Sequence, residues 1–66
     1  MQITLNGQAK EFEQKIKLQN LIEQFCQSTS RIIAEVNGEI IKSPRWQETE
    51  IKDGDQIELV RFVGGG

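Results

Sequence analysis

The chain has 66 residues, 36% of them apolar and 27% charged, with a net charge of −2. A domain this small buries only about 60% of the surface its unfolded chain exposes, and one cysteine with no histidine excludes an intrachain disulfide or a metal as support. The even spread of charge excludes the basic stripe that nucleic-acid binding needs. The longest apolar run is far short of the roughly 20 residues that span a bilayer.

Met1 to Leu5 alternates apolar and polar residues, the period-two pattern of a half-buried strand. It carries no charged and apolar leader pattern, so no secretory signal is expected. The lone thiol suits a reducing compartment, and a cytoplasmic location is expected. Asn6-Gly7 follows, a strong hairpin signal because a type I′ turn needs two residues tolerant of positive φ. The return strand, Gln8 to Glu13, is mostly polar with Ala9 and Phe12, and reads as an edge strand whose charges discourage pairing with other chains.

Leu18, Leu21, Ile22 and Phe25 stand at i, i+3, i+4 and i+7, which predicts a helix over roughly Leu18 to Gln27 with one apolar face. Lys17 offers its N-terminus no side-chain acceptor, and Ser28-Thr29-Ser30 ends it. Ile32 to Val36 predicts a third strand with Ile32, Ala34 and Val36 on one face. Asn37-Gly38 turns the chain into a short fourth strand, Glu39 to Ile41. Lys42 to Thr49 holds the only proline and the only tryptophan, and reads as an irregular loop with room for one helical turn, pinned by the Trp46 ring. Asp53-Gly54-Asp55 is a tight turn into the last strand, Gln56 to Val63, and the chain closes on Gly64-Gly65-Gly66.

This order predicts a single α+β domain over residues 1–66 with a flexible glycine tail at 64–66. Its first and last strands lie parallel at the centre of a mixed sheet of four to five strands packed on one helix, the β-grasp (ubiquitin-like) arrangement with a right-handed crossover.

Catalysis by the chain itself is not expected. Histidine and tyrosine are absent, and Cys26, with no histidine to activate it, reads as an inert buried thiol beside the helix face. Asp53 and Asp55 flank a glycine and read as turn residues that satisfy backbone amides. Their neighbourhood supplies too few ligands for a metal, so neither metal nor bound cofactor is expected.

The last strand is more informative. Ile57 and Leu59 share one face, and Val60 and Phe62 share the other. A sheet covered by one helix needs apolar residues on one face only, which leaves three readings. A bulge changes the register near Leu59, the Pro44–Trp46 loop covers Val60 and Phe62, or both point outward as an apolar docking patch with Arg61 as its polar rim. Residues without Cβ atoms can be drawn through a channel too narrow for other residues. The four residues past Phe62 reach about 13–14 Å, enough to carry a carboxylate into another protein's site. A free carboxylate is a poor electrophile, so such a tail is inert until an enzyme activates it.

Asp53-Gly54-Asp55-Gln56-Ile57-Glu58-Leu59-Val60-Arg61-Phe62-Val63-Gly64-Gly65 closely resembles the C-terminal signature of the ThiS sulfur carriers of thiamin biosynthesis, a branch of the ubiquitin-like sulfur carriers. Met1-Gln2-Ile3-Thr4-Leu5-Asn6-Gly7 and Val36-Asn37-Gly38-Glu39-Ile40-Ile41 are similar to the same family, so the resemblance covers essentially the whole chain. It departs in ending on three glycines where a diglycine is usual, and in placing Lys17 where the family often has a Thr-like cap.

The resemblance implies a protein co-substrate rather than an enzyme. An E1-like partner of the ThiF type would use ATP to adenylate the carboxylate of Gly66. Sulfur from a cysteine-desulfurase persulfide would displace AMP to leave a thiocarboxylate, which a thiazole synthase of the ThiG type would consume. Gly64 and Gly65 would thread the partner's active site, and Val60, Arg61, Phe62 and Val63 would bind partners. ATP would belong to the adenylating partner. Two alternatives remain. One is the small subunit of molybdopterin synthase, which typically carries a proline before its glycines. The other is a non-catalytic ubiquitin-like binding module whose terminus is never modified.

Overall fold

The computed structural model describes residues 1–26 and 31–62. In chain order its elements are β1 (Gln2–Leu5), β2 (Gln8–Glu11), β3 (Ile16–Lys17), α1 (Leu18–Phe25), β4 (Ile32–Val36), β5 (Glu39–Ile41), a 3-10 turn (Ser43–Arg45), β6 (Glu50–Ile51) and β7 (Gln56–Arg61). Five strands form a mixed sheet in the order β2-β1-β7-β4-β5. At its centre β1 and β7 run parallel, with Leu5 beside Ile57. The hairpins β1–β2 and β4–β5 flank that pair, as the β-grasp arrangement requires.

Alternation along each strand decides what α1 covers. Ile3 and Leu5 of β1, Ala34 of β4, Ile41 of β5 and Ile57 of β7 point to one side, where Leu18, Leu21 and Ile22 of the helix meet them. Trp46 and Ile51 complete this core. Burying a side chain of this size contributes about 1.5–3 kcal/mol relative to leaving it in water, so these residues carry most of the stabilisation. Both hairpins close on Asn-Gly turns. Asn6 and Asn37 have φ of 50° and 53°, and the following glycines 80° and 84°, the paired positive φ of a type I′ turn.

The structure differs from the sequence reading at several places. β2 ends at Glu11 rather than Glu13, although Phe12 N–H still donates to the Met1 carbonyl at 2.8 Å. The helix ends at Phe25, and Cys26 is already extended while its N–H caps the Ile22 carbonyl at 2.8 Å. Gln27 and Ser28-Thr29-Ser30 lie outside the described residues. Phe25 is not part of the buried face. It overhangs toward the β2 side, packed edge-on against Phe12 with centroids 6.4 Å apart, and the Lys10 ammonium lies 5.6 Å from its ring centre.

A second, two-stranded sheet pairs β3 with β6, Ile16 opposite Ile51. Strands of two residues are too short for alternation to reveal. The poor cap at Lys17 is also answered from a distance. Its side chain makes no cap bond. Instead Leu18 N–H donates to the Thr49 carbonyl at 2.8 Å and Gln19 N–H to the Trp46 carbonyl at 3.1 Å, so the 42–49 loop satisfies amides that a helix start leaves open. That loop is pinned as expected. Trp46 is buried, and its Nε1–H donates to the Ile41 carbonyl at 2.8 Å. No helix among the described residues is long and apolar enough to cross a membrane.

Candidate docking site

The site is built on β7, the strand that leads into the glycine tail. Its register against β4 runs unbroken from Ile32 opposite Arg61 to Val36 opposite Ile57, and Phe62 N–H extends it with a 2.9 Å bond to the Arg31 carbonyl. No bulge intervenes, so period two holds to the end of the strand. Ile57 is buried and Leu59 packs against the core. Val60 and Phe62 face the other way, 54% and 45% exposed. The Pro44–Trp46 loop does not cover them, because Trp46 enters the core on the helix side. Of the three readings, the outward one holds.

Two further residues join this outer face. Ile33 stands directly opposite Val60 on β4, 37% exposed, and Ile40 stands opposite Glu35 on β5, 60% exposed. Glu35 and Glu58 oppose one another across β4 and β7. The outer face is thus an apolar patch bordered at one end by an acidic pair. Like charges directly opposite on a sheet are mildly destabilising. The sequence reading missed Ile33 and Ile40. Their signal was present in the doublets Ile32-Ile33 and Ile40-Ile41, since adjacent residues of a strand cannot both face the core.

Arg61 does not form the rim of this patch. Alternation places it on the helix-bearing face, where it lines an open cleft with Phe25, Cys26, Ile32 and Leu59. Cys26 is therefore partly exposed in that cleft rather than buried. Val63 and the tail residues Gly64, Gly65 and Gly66 lie outside the described residues.

The Asp-Gly-Asp turn holds the start of β7. Asp53 accepts Gln2 N–H at 2.7 Å, while Gly54 at φ 87° donates its own N–H to the Gln2 carbonyl at 2.7 Å. Asp55 is buried and accepts from Lys52 N–H at 2.8 Å and Asn37 Nδ2 at 3.0 Å. Asp55 satisfies the nearby Lys52 amide as expected of a turn residue, while Asp53 reaches across to Gln2 on β1 and Asp55 also to Asn37 in the second hairpin turn. Among the described residues, no group of three His, Cys, Asp or Glu side chains could hold a metal ion. What the arrangement offers is a docking face beside the end of a rigidly held central strand.

The ThiS family model matches residues 3–66. The sulfur carrier protein ThiS of Bacillus subtilis is 37% identical over 65 residues, covering 97% of this chain and 98% of that one. The crystal structure of the thiamine biosynthesis protein ThiS from Geobacter metallireducens matches the fold with a TM-score of 0.88 at 28% identity, over 100% of both chains. A thiazole synthase of Paramagnetospirillum magneticum is 27% identical over 66 residues, all of this chain, which spans only 20% of that protein.

Proposed function

The chain belongs to the ThiS family, and we propose that it is the sulfur carrier for thiazole formation in thiamin biosynthesis, working as a co-substrate of other enzymes. The observation that carries this reading is the outward pose of Val60 and Phe62 at the end of the central strand, with only Val63 between Phe62 and the glycines that begin at Gly64. A partner can grip the patch formed by these two residues with Ile33 and Ile40 while residues 63–66 enter its active site. Arg61, on the opposite face, would meet a partner that wraps the strand end.

The chemistry follows from the inertness of a carboxylate. A carboxylate oxygen of Gly66 attacks the α-phosphorus of ATP in an E1-like enzyme, expelling pyrophosphate and leaving an acyl adenylate. The terminal sulfur of a protein persulfide, as a cysteine desulfurase would present it, then attacks the acyl carbon and AMP departs. A second thiol cleaves the resulting sulfur–sulfur bond, forms a disulfide with the donor sulfur and releases the thiocarboxylate. That sulfur is a soft nucleophile for a thiazole synthase. The similarity of the whole chain to a segment of a thiazole synthase supports that partner. ATP is bound by the adenylating partner, and the carrier itself needs no cofactor.

The test is the intact mass of the chain after incubation with ATP, a ThiF-like adenylating enzyme and a persulfide donor. The expected gain is sulfur minus oxygen, confined to the C-terminal peptide. An unchanged mass beside a partner that modifies another ThiS-family carrier overturns the reading.

A further inference from the structure

The two Asn-Gly turns do more than reverse the chain, because each asparagine side chain grips β7. Asn37, at the start of the strand, accepts Gln56 N–H on Oδ1 at 2.9 Å and donates from Nδ2 to Asp55 at 3.0 Å. Asn6 grips the strand near its end. Its Oδ1 accepts Leu59 N–H at 2.8 Å, and its Nδ2 donates to the Leu59 carbonyl at 3.3 Å.

The second grip has a specific geometry. The parallel β1–β7 ladder carries Thr4 N–H to the Asp55 carbonyl and Asn6 N–H to the Ile57 carbonyl, both at 2.9 Å. Rungs of a parallel ladder are evenly spaced, so the next one would join Leu59 to the β1 backbone. At Asn6 the chain has turned away, with φ of 50°. A carboxamide has the acceptor and donor of a peptide group, and Asn6 supplies the missing rung with its side chain. The strand end bearing Val60 and Phe62 is thereby held on both edges, by β4 and by Asn6.

We propose that Asn6 is a positioning residue for the sulfur-transfer tail, aiming the end of β7 so that the docking patch and the chain beyond it meet a partner in one orientation. This rests on the adenylation reading above. Without the grip, a partner must order the strand end on binding, which weakens productive capture.

The experiment compares Asn6→Gly, Asn6→Asp and Asn37→Gly with the unaltered chain. Glycine keeps the positive φ of each turn and removes the grip at a modest added cost in chain entropy, while aspartate keeps the acceptor for Leu59 N–H and loses the donor to its carbonyl. Carrier-dependent pyrophosphate release by a ThiF-like enzyme gives KM and kcat, and thermal melts give Tm. Asn6→Gly should raise the carrier's KM about five-fold, the factor one net hydrogen bond contributes, with kcat little changed. Asn6→Asp, which keeps the acceptor but sets a second acceptor against the Leu59 carbonyl, should recover KM only in part, and Asn37→Gly, far from the tail, should lower Tm without moving KM. Unchanged KM in Asn6→Gly overturns the proposal, as does a KM rise in both glycine variants that tracks their loss of Tm. Amide exchange on the unaltered chain decides independently of any variant's folding: Leu59 N–H should be protected, and exchange at the rate of an open amide overturns the proposal. An unaltered chain that triggers no pyrophosphate release contradicts the adenylation reading instead.

Discussion

Phe62→Ala removes a ring that the domain covers only in part. Fully burying a side chain of this class is worth about 1.5–3 kcal/mol. With 45% of Phe62 open to water, about 1 kcal/mol of that remains to be gained when a partner covers it. Its loss corresponds to a roughly five-fold rise in KM for the carrier. Val60, 54% exposed, is a smaller side chain, and Val60→Ala should cost about three- to five-fold by the same argument. The fold should survive both changes, because the buried hydrophobic core among the described residues includes neither side chain. The assay is ATP-dependent pyrophosphate release by a ThiF-like enzyme, titrated in carrier, beside a thermal melt of each variant. KM values within two-fold of the unaltered chain in both variants refute the docking role of this face. A fall in KM-controlled activity that merely follows a collapsed melt refutes the claim that the patch is separable from the fold.

Ile33→Ala, directly opposite Val60, should raise KM in the same assay by a factor of about three, and an effect confined to Tm would restrict Ile33 to a structural role. Trp46→Ala should destabilise the domain by about 3–5 kcal/mol, because it empties part of the core and removes the 2.8 Å bond to the Ile41 carbonyl; a denaturant titration measures it. Gly54→Ala should cost about 1 kcal/mol through its φ of 87° alone, since a Cβ there meets nothing within 4 Å. A loss several times larger in equilibrium unfolding would reveal a clash the geometry does not contain. One residue appended after Gly66 should abolish sulfur loading, read by intact mass, because the new carboxylate no longer sits on the residue the partner activates.

What could be read from the sequence followed the range of the interaction. The inward face of each strand is decided within four or five residues, so Ile3, Leu5, Ala34 and Ile57 were legible, and so was the outward pose of Val60 and Phe62 once a bulge was excluded. Arg61 was misplaced for the converse reason: neighbours in a strand stand on opposite faces, and a rim has to be sought across strands. The cap of α1 depends on Thr49 and Trp46, the small β3–β6 sheet on residues 35 positions apart, and the Asn6 grip on Leu59 at a separation of 53. No local pattern encodes such pairs.

The outer face was legible in another way, through surplus. A chain of 66 residues is short of apolar material for its core, and every isoleucine placed outward is one the core does without. Single exposed apolar residues need no explanation. Four on one face, in two adjacent doublet positions and at the end of the strand that carries the tail, are a different matter. The fold gains little from Ile33, Ile40, Val60 and Phe62 where they stand, and water disfavours them there. Their placement is economical only if another protein covers them, which is what the proposed docking role of this face requires.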